Sequence, residues 1–241
     1  MASYQTLQDV YSDQPFTLAL SSGFFGFFAH LGFVQALEEK KLSPRAYTGA
    51  SAGAIVAAAM ASGWSSRDLE EMLVGVKFSH FFDPRPGFGL VRGLNLRELL
   101  SRHMKADFSA LEKPLAVSAF NIKTRKTKVL DGGDLPRAVW ASCAIPVLFH
   151  PVRVGTELYW DGGIFDKVAV AGVADDEPLL SHFLPSGVYE RPALPVKWGT
   201  HRRQVRLTDI PRCGPHKMHL GREIIAFTRK QTRAALEAKL D

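Results

Sequence analysis

The chain has 241 residues, 46% of them hydrophobic and 22% charged, which is enough apolar sequence to bury a core and excludes a disordered protein. Two cysteines, Cys143 and Cys213, make neither a disulfide framework nor the paired spacing of a zinc site; the sequence shows no metal-ligand set, and no cofactor is expected. The net charge of +6 is unevenly placed, with twelve Lys and Arg against four acids in residues 191–241. Such a basic segment suits an anionic partner as well as it suits a solvated face. Residues 1–16 lack the basic and apolar regions of a signal peptide, and the weakly charged stretch 16–37 is broken by Gly23, Gly26, His30 and Gly32. Neither a signal peptide nor a transmembrane helix is expected, and the setting reads as cytoplasmic and reducing.

In chain order, residues 16–20 form an apolar, β-prone run bounded by Pro15 and Ser21-Ser22-Gly23, as a short buried strand requires. A loop of Gly and Phe follows, then apolar residues at helical spacing over 29–41. Residues 45–48 read as a second strand that runs directly into Gly49-Ala50-Ser51-Ala52-Gly53 and a small-residue helix over 54–61. Ser65 suits the cap of the next helix and Asn95 that of a helix over 96–104, with a Pro/Gly-rich loop over 83–93 between them. Strands are expected at 115–120 and 128–130, a helix opened by Asp134, then strands at 151–154, 158–160 and 179–184. An amphipathic run over 222–240 closes the chain. Strands alternating with helices imply an α/β fold with a mainly parallel sheet.

Gly49-Ala50-Ser51-Ala52-Gly53 fits G-x-S-x-G between a strand and a helix. A chain that reverses this sharply tolerates only tiny neighbours, and it exposes the serine Oγ over a helix N-terminus that favours developing negative charge. None of the eight histidines has a neighbourhood that marks it as the base, and His30 reads as structural. Two Asp-Gly-Gly sites, at Asp131 and Asp161, offer a carboxylate on a tight turn instead. Desolvation would bring either carboxylate into the range of a general base, and both equally fit plain hairpin turns. The loop Ser22-Gly23-Phe24-Phe25-Gly26 precedes a helix, where backbone N–H groups can hold an oxyanion.

Four blocks in order resemble the patatin-like phospholipase family: the Gly-rich strand–loop–helix with Ala29-His30-Leu31-Gly32, the elbow at Ser51, Ala141-Ser142-Cys143-Ala144-Ile145-Pro146, and Asp161-Gly162-Gly163 with Asp166 beyond. The resemblance spans roughly residues 16–184 and implies a three-layer α/β/α fold and a Ser–Asp dyad. It makes Ser51 the nucleophile and Asp161 the base, with Asp131 left outside the site. It assigns Gly49 and Gly53 to the nucleophile elbow, and Gly23, Phe24, Phe25 and Gly26 to the oxyanion hole. The implied activity is that of a lipid acyl hydrolase, phospholipase A-like, working through an acyl-enzyme on a phospholipid or other acyl ester.

The sequence departs from the family at three places, one of them the basic tail after Pro185, which matches no family block. The oxyanion loop carries two aromatics and no cation, and Lys167-Val168-Ala169 stands where the family has Asn-x-Pro; a Lys167 close to Asp161 would lower its pKa. Of Phe24, Phe25, Phe27 and Phe28, at least half are expected in the core. Residues 1–190 are expected to form the catalytic domain, with 191–241 a basic segment whose amphipathic helix packs on that domain or lies on anionic lipid as a peripheral contact. The alternatives are a soluble esterase, thioesterase or acyltransferase with the same dyad, or a catalytically weak binding protein. Nucleic acid is not an expected partner.

Overall fold

The computed structural model describes residues 6–80, 82–185, 198–199 and 201–240. In chain order its strands are β1 (Thr17–Leu20), β2 (Ala46–Ala50), β3 (Gly89–Val91), β4 (Leu115–Asn121), β5 (Lys126–Leu130), β6 (Val147–Phe149), β7 (Val152–Val154), β8 (Glu157–Asp161), β9 (Leu179–Phe183) and β10 (Arg202–Arg206). The α-helices are α1 (Leu7–Ser12), α2 (Phe27–Glu39), α3 (Ala52–Ala61), α4 (Ser66–Gly75), α5 (Leu94–His103), α6 (Leu135–Ser142) and α7 (Gly221–Glu237). The main sheet runs β10-β9-β1-β2-β4-β8-β7, with β5 also on β4. The five strands from β10 to β4 are mutually parallel, and β5, β8 and β7 join through antiparallel ladders. The fold is thus α/β with a mainly parallel sheet.

Alternation along β1 distributes its side chains between two cores. Leu18 and Leu20 join a large cluster with Leu31 and Phe33 of α2, Val56 of α3 and Val139 of α6. Ala19 faces the other way, into a smaller cluster with Val168, Val170 and Leu179. On that face the covering segment is the stretch after Asp166, whose Ala169 carbonyl accepts from the Thr48 hydroxyl (2.9 Å).

Helix α1 and strand β10 lie where the sequence suggests no element, and three further local features differ from the sequence-based expectations. The loop over 83–93 contains β3, which pairs in parallel with β6 as a separate two-stranded sheet. Helix α5 is not capped by Asn95, which lies within its first turn. The buried Asp83 carboxylate instead accepts from the N–H groups of Gly93 and Leu94 (2.8 Å each), a cap supplied across the loop. Helices α2 and α3 also begin two residues earlier than their apolar patterns imply. Ser65 caps α4 as expected, accepting from Asp68 N–H.

The amphipathic run near the C-terminus packs against α2 as α7, burying Ile224, Ile225 and Leu236. The two helices approach so closely that a Cβ on Gly32 would overlap the Ile225 carbonyl. Charges reinforce the contact: Arg222 pairs with Glu70 (3.2 Å), and Arg229 and Arg233 both pair with Glu39 (3.6 Å each). Much of the basic face assigned to anionic lipid therefore meets acids of the chain's own body. The expected boundary at 190–191 lies outside the described residues; beyond it, β10 extends the main sheet beside β9. Among the described residues no helix is long and apolar enough to cross a membrane.

Candidate active site

One edge of β4 brings the two catalytic candidates together. β5 occupies the opposite edge from Val117 to Asn121, so β2 and β8 must share the remaining one. β2 pairs along it in parallel as far as Ala50↔Ser118, and β8 pairs antiparallel from Asn121 back to Ala119↔Asp161. The two strands point at one another and end at adjacent positions. Ser51 follows one end and Asp161 is the other.

Ser51 sits at φ 53°, ψ −122°, outside the regions a side chain adopts freely and typical of strain kept at functional positions. The neighbouring glycines make that turn possible. A Cβ on Gly49 would meet the Ala54 backbone, and one on Gly53 would overlap the Leu20 carbonyl. The strained turn is also tethered: Ser51 N–H donates to Ser142 Oγ (2.8 Å), and the Ser142 hydroxyl donates to the Ser118 carbonyl (2.7 Å). Ser118 Oγ in turn donates to Asp166 (2.5 Å), whose carboxylate also accepts from Val170 and Ala171 N–H (2.9 Å each). This buried chain fixes the elbow, α6 and the segment after Asp161 to β4, each polar group holding the next.

Asp161 is 1% exposed. Its Oδ1 accepts from Gly163 N–H (2.8 Å), whereas among the described residues no hydrogen bond of ordinary geometry reaches the buried Oδ2. Burial pushes its pKa up to about 7, while the Ser51 hydroxyl and the Gly163 N–H act in the lowering direction. Lys167 does not figure among the groups that set this pKa: its ammonium lies over the Phe183 ring, 5.3 Å from the centroid. Asp131 is exposed and lines a groove with Thr17, Ala46 and Leu115, at the opposite end of the sheet from Ser51. The Cys143 thiol beside the site is pushed well up by burial and by Asp161, so it stays protonated. His30 is fully buried and accounted for structurally: its Nε2–H donates to the Ser21 carbonyl (2.8 Å), and its Nδ1 then accepts from His182 Nδ1–H (3.0 Å). Its pKa falls to about 4 through burial.

The loop over 23–26 divides the donors assigned to it. Gly26 N–H donates to the Gly23 carbonyl (2.8 Å), which closes the turn with Phe25 at φ 55°, so Gly26 is removed from the oxyanion set. Gly23 and Phe24 N–H donate to no group among the described residues. Ala52 N–H, in the first turn of α3, is likewise uncommitted; any first-turn position after the serine carries such an orphan donor, a signal left unused in the sequence. Phe27 and Phe28 are buried, whereas Phe24 and Phe25 are not. Phe24, Phe25 and Phe27 line a cavity of about 200 Å³ together with Ser51, Ile55 and Phe149. Its lining is almost wholly apolar.

A family model for patatin-like phospholipases matches residues 18–174, from β1 past Asp166. The chain belongs to the patatin-like phospholipase family. This patatin-like chain is 26% identical over 174 residues to the uncharacterized protein YqhO of Bacillus subtilis, a match covering 58% of the chain and 60% of YqhO. An uncharacterized NTE family protein of Mycobacterium tuberculosis is 28% identical over 166 residues, covering 65% of the chain and 45% of that protein. The matches thus span between 45% and 60% of these curated relatives. In fold, the chain is similar to VipD from Legionella pneumophila, with a TM-score of 0.65 at 14% identity, covering 94% of this chain and 68% of VipD. The type III effector protein ExoU gives a TM-score of 0.54 at 16% identity, covering 92% and 53%. Both are likenesses of fold.

Proposed function

We propose that this patatin-like chain is a lipid acyl hydrolase of the phospholipase A type, with Ser51 as nucleophile and Asp161 as base. The observation that carries this reading is a desolvated carboxylate facing a strained serine at the edge of an apolar cavity. Asp161 takes the Ser51 proton as Oγ attacks the ester carbonyl carbon, and the carbonyl π electrons move onto oxygen. The N–H groups of Gly23, Phe24 and Ala52 receive that oxyanion at the head of α3. On collapse, Asp161 returns the proton to the departing alcohol, leaving the acyl group on Ser51. Water then enters by the same base and releases the fatty acid.

The same reading gives the protein a peripheral contact with an anionic lipid surface. Phe24 and Phe82 are exposed where they line the cavity, and Phe88, Leu90 and Val147 project from the adjoining β3–β6 sheet and its approach. Exposed apolar groups around an apolar cavity suit contact with acyl chains. Fluorophosphonate labelling tests the dyad directly. Wild type and Asp131→Asn should label, Ser51→Ala should not, and Asp161→Asn should label about a hundredfold or more slowly. Equal labelling of Asp161→Asn and wild type would remove Asp161 as the base.

A further inference from the structure

Two apolar cavities lie end to end beneath the nucleophile. The first, of about 200 Å³, opens beside Ser51 and Ala52. The second, of about 50 Å³, lies between α3, α4 and α5, with Ala59, Trp64, Met72, Leu100 and Met104 in its wall and no polar surface. Phe27, Ile55 and Leu96 belong to the walls of both, so these three side chains are the partition.

Helix geometry explains the alignment. Ser51 heads α3, and Ile55 and Ala59 follow at four-residue steps on one face, each about 6 Å further along the axis. Nucleophile, partition and second cavity are therefore met in that order along a single stripe. An apolar void without polar partners does not hold ordered water. The second cavity is bordered by Met72 and Met104, unbranched side chains that repack readily around an incoming group.

We propose that the second cavity receives the distal end of a long acyl chain, and that Phe27, Ile55 and Leu96 set the chain length the site accepts. This rests on the acyl-ester reading above. Short chains end in the first cavity and meet only the near side of the partition. A longer chain displaces it, and each methylene that enters is worth about fourfold in kcat/KM.

The test compares wild type, Ile55→Ala and Ala59→Leu on 4-nitrophenyl butyrate, octanoate and hexadecanoate. In parallel, the same proteins carrying Ser51→Ala bind free fatty acids of those lengths, read by displacement of a fluorescent fatty acid. Opening the partition with Ile55→Ala should raise the hexadecanoate-to-octanoate ratio about tenfold, and filling the second cavity with Ala59→Leu should lower it about as much. The butyrate-to-octanoate ratio should change far less than the hexadecanoate-to-octanoate ratio across the three proteins. Thermal unfolding identifies any variant that has not folded, and Ala59→Val replaces Ala59→Leu in that case. Variants that fold and change all chain lengths alike, in both assays, overturn the proposal. If wild type hydrolyses no ester while fatty-acid binding shifts as stated, the acyl-hydrolase reading falls and the two-cavity site stands.

Discussion

At Asp161, one physical cause has two consequences of opposite sign. Burial raises its pKa to about 7, and only the carboxylate can accept the Ser51 proton. The kcat/KM for an acyl ester should therefore rise with pH through about 7 and level off above it, as a pH–rate profile would show. Stability runs the other way. The folded chain keeps this proton up to about pH 7, whereas an unfolded aspartate releases it near pH 3.8, so the contribution is full below about pH 4 and lost as pH rises to 7. Its span is on the order of 4 kcal/mol. Asp161→Asn cannot titrate, so its stability relative to wild type should climb over that interval, measured by denaturant unfolding at pH 4.5, 6 and 7.5. Ser51, Gly49 and Gly53 were legible in the sequence because the elbow's steric demands are local. Local chemistry alone left Asp161 and Asp131 equal, since both open the same tripeptide; the order of the family blocks picked Asp161, and the sheet topology sets it beside Ser51 with Asp131 at the far end. The loss of Gly26 as a donor was hidden, because it depends on a turn closing onto Gly23.

The same boundary between local and distant causes governs the elements. The main strands and helices were readable from apolar period and caps, as with Ser65 on α4 and Asp134 on α6. The cap on α5 was not, because Asp83 comes from ten residues upstream of Gly93. Ser142 shows what such a distant contact contributes to the site. It sits in α6 yet holds the Ser51 amide, so Ser142→Ala leaves a buried N–H unpaired at a cost of about 1–3 kcal/mol. Its kcat should fall more than its KM rises, because the substitution loosens the proposed nucleophile and leaves the cavity intact; steady-state kinetics would separate the two. On α2, Gly32→Leu should lower stability by about 1–3 kcal/mol, read from thermal unfolding, because α7 leaves no room for the side chain.

Across the whole molecule, charge bias along the sequence is not the same thing as a free basic face. The sequence shows where basic residues concentrate along the chain, but not that Arg222, Arg229 and Arg233 meet Glu70 and Glu39. Vesicle binding should therefore respond weakly to Arg229→Gln with Arg233→Gln, and fall about tenfold or more for Phe88→Asp with Leu90→Asp; co-sedimentation with anionic vesicles measures both. The meeting of β2 and β8 on one edge of β4 carries a further consequence, for how this protein can change over generations. The gap between Ser51 and Asp161 is ruled by the ladder of β4 rather than by the reach of either side chain. Inserting one residue within β4 would slide one partner by about 3.3 Å and turn alternate side chains to the wrong face. Turns such as residues 122–125 and 155–156 can change length without moving the pair, while residues 115–121 must keep their count for as long as the pair is in use.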